Sequence, residues 1–107
     1  MANHKNDNKL LGNFCVYDIH IEEELYKYGK ADMDRVTQSS NLPTRLHQQV
    51  RKLQNDNEEV EGRVLVELPN VTTEYAKDVE NELIAEYLAI HGELPKGNKR
   101  LNKKKQR

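Results

Sequence analysis

The apolar residues of this 107-residue chain fall into five short segments whose spacing alternates between the period of a strand and that of a helix. Residues 10–19 are apolar and rich in β-forming residues, and residues 25–28 form a second short run that ends at Gly29. Because short connections favour antiparallel neighbours, the simplest pairing of these two strands is a hairpin. The acidic residues 22–24 between them contain neither Gly nor Pro, so they are a weak turn signal.

A helix is predicted after the hairpin. Residues 30–43 are polar and irregular, which indicates a loop, and Asn41 is the expected cap of the helix, with Pro43 in its first turn. The residues that recur at helical spacing are Leu42, Leu46, Val50 and Leu53. The polar residues 55–57 end this helix.

A strand and a second helix complete the pattern. Residues 63–68 give the best strand signal in the chain, closed by Pro69 and Asn70. Thr72 or Thr73 can cap the second helix, and Gly92 is a suitable stop. The order β-β-α-β-α predicts an α+β fold, in which helices flank a three-stranded, mainly antiparallel sheet. We expect one domain over residues 10–98, a flexible N-terminus over 1–9 and a disordered basic tail over 99–107.

The formal net charge of −1 hides an uneven distribution. Residues 96–107 contain seven basic residues and no acidic residue, so the rest of the chain is acidic. A basic end on an acidic body suggests a polyanionic partner, or it is simply a solubilising segment. Composition leaves both interpretations open.

Several classes of protein are disfavoured by composition. No apolar run is long enough to span a membrane, and residues 1–9 lack the apolar stretch of a signal peptide. Cys15 is the single cysteine and cannot form an internal disulfide, which favours a reducing, cytoplasmic location. The four histidines are scattered, so a structural zinc site is not expected.

Two carboxylates interrupt the apolar face of the second helix. On a helical wheel, Glu80 and Glu86 both fall within the arc of apolar residues. A carboxylate on a buried face is costly unless it is paired or liganded. Either side chain could extend past the edge of the face, or one could be a metal ligand or catalytic group, and periodicity does not separate the two.

Two further residues have both an ordinary and a functional interpretation. Tyr17 lies in an apolar segment, where its hydroxyl needs a partner, and a core tyrosine is the ordinary case. Arg45 lies beside the apolar stripe of the first helix, where a solvated arginine is the ordinary case.

Read together, these segments resemble the GIY-YIG endonuclease domain over about residues 14–98. Val16 and Tyr17 stand at the end of the first triplet, and Lys27, Tyr28 and Gly29 stand at the second, with Lys in place of its first Tyr. The helix start at residues 41–46 is similar to the segment that bears the family's phosphate-binding arginine. In that segment Arg45 matches the arginine. Residues 79–84 are similar to the segment that bears the family's metal-binding glutamate, which Glu80 matches. Asn98 falls where the family often keeps an asparagine.

The resemblance implies hydrolysis of DNA phosphodiester bonds with Mg²⁺ (or Mn²⁺) as cofactor. It implies Glu80 as the metal ligand, Arg45 as the phosphate clamp, and Tyr17 or Lys27 as the group that positions or deprotonates water. The resemblance selects Glu80 over Glu86, and Gln49 stands where the family often has His. The catalytic set is Tyr17, Lys27, Tyr28, Arg45, Glu80 and Asn98. The expected substrate-binding residues are Lys30, His47, Lys99, Arg100, Lys103, Lys104 and Lys105.

Two alternatives use the same residues differently. The chain could be a catalytically inactive module that binds nucleic acid on the nuclease scaffold, or a protein-interaction factor with an acidic docking face. If the chain is a nuclease, its sequence specificity must come from residues 30–43, from the tail, from a second copy of the chain or from a partner protein.

Overall fold

Three long strands and two helices make up most of the structure. The computed structural model describes residues 10–98. In chain order, its elements are β1 (Leu11–Ile21), β2 (Glu24–Asp32), β3 (Val36–Thr37), β4 (Leu42–Pro43), α1 (Thr44–Gln54), β5 (Val60–Thr72) and α2 (Thr73–His91). The long strands form an antiparallel sheet in the order β2-β1-β5, and β3 pairs with β4 in a separate small ladder. The predicted α+β class and the three-stranded antiparallel sheet are confirmed.

Strand β1 is the centre of the sheet and is covered on both faces. Its five consecutive residues 15–19 are all buried, although successive side chains of a strand point to opposite faces. Cys15, Tyr17 and Ile19 pack with Leu46 of α1 in the main hydrophobic core. Val16 and Asp18 point to the other face, which α2 covers. Helices on both faces explain why this strand is apolar in both alternating sets of positions.

The β1–β2 connection is a two-residue turn made by glutamates. Glu22 and Glu23 have φ values of 51° and 73°, the left-handed conformation that two-residue hairpin turns require. The backbone N–H of Glu22 donates to the carbonyl of Glu59 at 2.8 Å, which attaches the turn to the chain before β5. The expected hairpin therefore forms without Gly or Asn.

Three boundaries differ from those expected from the sequence. Strand β2 does not end at Gly29 but continues to Asp32, because Gly29 faces Tyr17 of β1 within the ladder. Asn41 does not cap α1: it lies in a left-handed turn, φ 63°, between β3 and β4, and the cap position is Pro43. Pro69 and Asn70 do not close β5, which continues to Thr72 at the free edge of the sheet, where proline is tolerated.

Helix α2 begins and ends with the expected caps. The Thr72 hydroxyl accepts from the backbone N–H of Tyr75 at 3.0 Å, and Gly92 closes the helix in the left-handed conformation, φ 78°. Ala76, Glu80 and Ile84, spaced by four, form the buried side of this helix. Within residues 10–98, neither helix is long and apolar enough to cross a membrane.

Candidate functional site

The Tyr17 side chain crosses the neighbouring strand at Gly29. These two residues are paired across β1 and β2. A Cβ atom at Gly29 would lie only 2.3 Å from Cζ and 2.4 Å from the hydroxyl oxygen of Tyr17. The absence of a side chain at Gly29 therefore gives the phenol its path across β2, which is the outer strand of the sheet.

The Tyr17 hydroxyl is held against α1. It donates to Oε1 of Gln49 at 2.8 Å. Burial raises the pKa of the phenol to about 12, the Arg45 guanidinium opposes this shift, and the charge of Glu80 adds to it. The phenol is therefore protonated near neutral pH and acts as a hydrogen-bond donor.

Two half-buried lysines of β2 are both influenced by the charges of Arg45 and Glu80. Burial lowers the pKa of Lys27, the nearby Arg45 lowers it further, and the charge of Glu80 raises it. Burial also lowers the pKa of Lys30, where Glu80 opposes the shift and Lys77 contributes to it. Both amines lose their proton more readily than an exposed lysine does.

The helices supply Arg45 and Glu80. Arg45 lies in the first turn of α1, and its side chain is exposed to solvent while acting electrostatically on Tyr17 and Lys27. Glu80 lies on the buried side of α2 and is 6% exposed, whereas Glu86, the other carboxylate that the helical wheel left open, is exposed. Burial thus separates the two glutamates that periodicity could not separate.

These groups act electrostatically on one another around the outer part of the sheet. Tyr17 comes from β1, Lys27 and Lys30 come from β2, and the two helices on opposite faces contribute one residue each. We refer to Tyr17, Lys27, Lys30, Arg45 and Glu80 as the edge site. The cluster combines one buried carboxylate with three cationic side chains and one phenol, a composition suited to holding an anion beside an oxygen ligand.

Glu80 is the one metal-binding candidate within the edge site. Among residues 10–98, no group of three or more His, Cys, Asp and Glu side chains is placed to hold a metal ion together. A single carboxylate nevertheless fits Mg²⁺, which takes one or two protein carboxylates and completes its oxygen shell with water and substrate phosphate. The donor set is therefore compatible with Mg²⁺ and unsuited to a structural zinc ion.

Asn98 and Tyr28 are joined at the backbone of β2, next to Lys27 of the edge site. The Asn98 side chain accepts from the backbone N–H of Tyr28 at 2.8 Å and donates to its carbonyl at 3.0 Å, as a paired strand would. The backbone N–H of Gly97 donates to the carbonyl of Tyr26 at 2.7 Å. The Tyr28 side chain points to the face of the sheet opposite that of Lys27. There, burial raises the pKa of Tyr28, and the charges of Asp18 and Glu86 add to that shift. Asn98 thus holds the backbone of β2 beside Lys27.

The remaining predicted residues are not part of this cluster. Nδ1 of His47 lies 2.9 Å from the Ser40 hydroxyl. His47 is two positions after Arg45 in α1, so the two side chains leave the helix in different directions. The five predicted tail residues, at positions 99, 100, 103, 104 and 105, lie outside the described residues, as does the predicted flexible segment 1–9.

Sequence reasoning did not assign a role to three residues of this region. Gln49 was noted only as the replacement for a family histidine, and its one-turn spacing from Arg45 was the available signal. Lys77 lies one turn before Glu80 and was not singled out. Asp18 is 4% exposed and is paired with Arg63 at 3.1 Å, a cross-strand partner that only the register reveals.

Comparisons of the chain with protein-family models, with curated proteins and with solved structures returned no match.

Proposed function

We propose that the chain is a metal-dependent endonuclease of the GIY-YIG type that hydrolyses phosphodiester bonds in DNA. The observation that supports this most is the gathering of Tyr17, Lys27, Lys30 and Arg45 around the buried Glu80. These residues are distant in the chain, and the resemblance assigns a nuclease role to each of them.

In the proposed reaction, the cationic residues bind the scissile phosphate. Arg45 is the exposed member of the cluster, and its planar guanidinium suits two non-bridging phosphate oxygens. Lys30 is half-buried beside Glu80 and adds a second positive charge. Together they orient the phosphate and stabilise the negative charge that grows on it during attack by water.

The proton is handled by Lys27 rather than by Tyr17. With a pKa of about 12, the phenol keeps its proton and is a poor base at neutral pH, so it orients water through its hydroxyl. The pKa of Lys27 is lowered by burial and by Arg45, which increases the fraction of free amine that can accept a proton from water.

Glu80 would hold Mg²⁺ or Mn²⁺. When bound, the ion supplies Lewis-acid stabilisation of the phosphate and the leaving oxygen. We extend the proposal to a cytoplasmic enzyme, since Cys15 is the single cysteine of the chain and is a buried free thiol.

A module that binds nucleic acid without cleaving it is the second candidate. The raised pKa of Tyr17 favours it, because the family's first-triplet tyrosine is here a protonated donor bonded to Gln49. In this case, Arg45 and the lysines bind phosphate and no bond is broken.

A cleavage panel distinguishes the two candidates. The purified chain is incubated with plasmid, single-stranded and branched DNA in Mg²⁺, in Mn²⁺ and in EDTA. The nuclease proposal predicts metal-dependent cleavage that Glu80→Gln and Arg45→Ala remove, while the matched surface variant Arg51→Ala cleaves normally. No cleavage of any substrate with either metal, together with binding that Glu80→Gln leaves unchanged, would establish the binding module instead.

A further inference from the structure

A cleft of about 620 Å³ opens beside the edge site and shares Lys30 with it. It lies between the start of β1, the end of β2 and the first turn of α2. Its volume is in the range of pockets that bind small ligands. No role in the proposed chemistry accounts for the cleft.

The lining of the cleft combines exposed apolar side chains with cationic ones. Leu10 and Leu11 are 44% and 61% exposed, unusually open positions for large apolar side chains placed together. Phe14 adds the single aromatic ring of the lining, with Nζ of Lys30 at 5.6 Å from its centroid. Lys77 projects from α2 on the other side and acts electrostatically on Lys30.

The acidic residues of the cleft are engaged within their own turn. Oδ1 of Asp32 accepts from the backbone N–H of Asp34 at 2.8 Å, and Oδ1 of Asp34 accepts from the Asn13 amide at 3.2 Å. These carboxylates therefore have partners in the chain, and the three cationic residues of the lining, Lys30, Arg35 and Lys77, outnumber them. A ligand with one anionic group and one flat apolar group fits this arrangement.

We propose that the cleft binds one unpaired nucleotide of the DNA substrate, with its base against Phe14 and the leucines and its phosphate at Lys30 and Lys77. This proposal rests on the proposed nuclease function and names its substrate class, namely DNA with a single-stranded segment at the cleavage position. An aromatic ring beside positive charge is the usual means of binding an unpaired base, since every base can stack and every nucleotide carries a phosphate. A base within a duplex is already stacked and cannot enter the cleft.

The position of the cleft connects it to the edge site along α2. Lys77 and Glu80 are three residues apart, about one turn and roughly 4.5 Å of helix rise. Lys30 belongs to both sites, so it can contact the phosphate between the bound nucleotide and the scissile bond. An unpaired nucleotide in the cleft would therefore place the adjacent phosphodiester near Arg45 and Glu80.

The test measures binding separately from cleavage. Fluorescence anisotropy of the full chain in EDTA compares a labelled single-stranded oligonucleotide with the blunt duplex of the same sequence. The variants are Phe14→Leu, which keeps an apolar side chain without a ring, Leu11→Ser, which changes an exposed side chain, and Lys77→Gln. The matched control is Lys52→Gln, an exposed lysine of α1 outside the cleft.

We expect the parent to prefer the single strand. Phe14→Leu should weaken single-strand binding by about fivefold or more and leave duplex binding unchanged. Leu11→Ser should act in the same direction if Phe14→Leu alters folding, which circular dichroism checks. Lys77→Gln should reduce the slope of log affinity against log salt by about 0.7, while Lys52→Gln should not.

Several outcomes would overturn the proposal. Equal affinity for both DNA forms, or unchanged single-strand binding in both Phe14→Leu and Leu11→Ser, excludes an unpaired nucleotide. If these variants instead lose binding to anionic phospholipid vesicles, the cleft binds a lipid headgroup and not a nucleotide. Selective single-strand binding without any cleavage in Mg²⁺ would support the nucleotide-binding cleft and contradict the nuclease function. Cleavage without a preference for single strands would support the nuclease function and contradict the nucleotide-binding cleft.

Discussion

The two buried carboxylates of residues 10–98, Asp18 and Glu80, have nearly equal exposure, 4% and 6%, but different surroundings. Asp18 lies in the central strand opposite Arg63, which reaches it through Nε at 3.4 Å and Nη2 at 3.1 Å. Glu80 lies on a helix, and its charge acts on Lys27 and Lys30 of β2 and on Tyr17 of β1.

Under the proposed function, Asp18 is a structural carboxylate and Glu80 is a functional one. The ladder itself places Arg63 beside Asp18, so that pair follows from strand register and can stabilise the sheet. The basic groups near Glu80 come from separate elements, β2 and α1. A buried charge costs free energy wherever it lies, and under the proposed function that cost at Glu80 serves a bound metal ion.

The largest expected effect is a loss of cleavage in Glu80→Gln, whereas the matched substitution Asp18→Asn should instead lower thermal stability. Glu80→Gln keeps the size of the side chain but removes its charge, and it should reduce cleavage by about a hundredfold to a thousandfold, the loss of several kcal/mol of metal stabilisation. Asp18→Asn should leave cleavage within a few-fold of the parent and lower the Tm, because Arg63 loses its charged acceptor. Initial cleavage rates in Mg²⁺ and thermal melts measure both variants.

The exposed Glu67 of β5 provides the control for loss of a carboxylate, since Glu67→Gln should affect neither property. If Asp18→Asn abolished cleavage and left the Tm unchanged, the functional assignment would belong to Asp18 rather than to Glu80.

The next effect concerns the pH dependence of cleavage. The pKa of Lys27 is lowered, so the free amine that can act as a base increases as pH rises toward that value. We expect kcat/KM to increase about tenfold for each pH unit until the pKa of Lys27 is reached, and then to level off. Lys27→Arg keeps the charge but does not titrate in this range, so it should lower cleavage and remove the increase.

Lys30→Arg is the matched control, because the pKa of Lys30 is also lowered by burial. Its pH profile should keep the shape of the parent profile. An increase with pH that persists in Lys27→Arg would assign the titration to another group, such as metal-bound water.

A smaller effect tests the path of Tyr17 across β2. In Gly29→Ala, the new methyl group would overlap the Tyr17 ring, which should cost about 1–3 kcal/mol of stability and displace the hydroxyl from Gln49. Gly62→Ala creates a similar overlap from β5, 2.8 Å from Leu46 and from Val50 of α1, without meeting the Tyr17 ring directly. Urea unfolding should show both losses, but cleavage below the Tm should fall more in Gly29→Ala, which displaces the Tyr17 hydroxyl itself. Equal cleavage by both variants would show that the placement of Tyr17 is not needed.

Much of the fold followed from local pattern. Apolar periodicity predicted five of the seven elements in the correct order, and Thr72 and Gly92 marked both ends of α2. The prediction of a loop over residues 30–43 was wrong where the short strands β3 and β4 form. Boundaries were less predictable where a tertiary contact decides them. Gly29 resembles a strand terminator, but its missing side chain is what accommodates Tyr17, and no local pattern contains that information.

The candidate site was only partly predictable for the same reason. The apolar arc on the helical wheel included Tyr75 and Ile90, yet both are exposed, because the sheet covers the side of α2 that contains Ala76 and Glu80. The choice between Glu80 and Glu86 therefore needed tertiary packing or the family resemblance. The partner of Asp18 depended on strand register, which a one-residue shift would change completely.

The smallest effect that we expect lies in the hairpin turn, far from any assigned role. Glu22 and Glu23 adopt positive φ values that Asn and Gly adopt more easily, so Glu22→Asn with Glu23→Gly should stabilise the fold by about 1 kcal/mol, or roughly 4–8 °C in Tm. Asn keeps the backbone N–H that Glu22 donates to Glu59, so the attachment of the turn is preserved.

The control for this prediction is Glu24→Gln, which removes an acidic charge next to the turn without changing the backbone of the turn. Its Tm distinguishes relief of backbone strain at Glu22 and Glu23 from relief of charge repulsion. A Tm increase in that control as large as in the double variant would mean that the turn is limited by repulsion among its acidic residues. Unchanged cleavage with a higher Tm would show that the hairpin only supports the sheet, as the pairing of Asp18 with Arg63 does, and that the edge site functions independently of it.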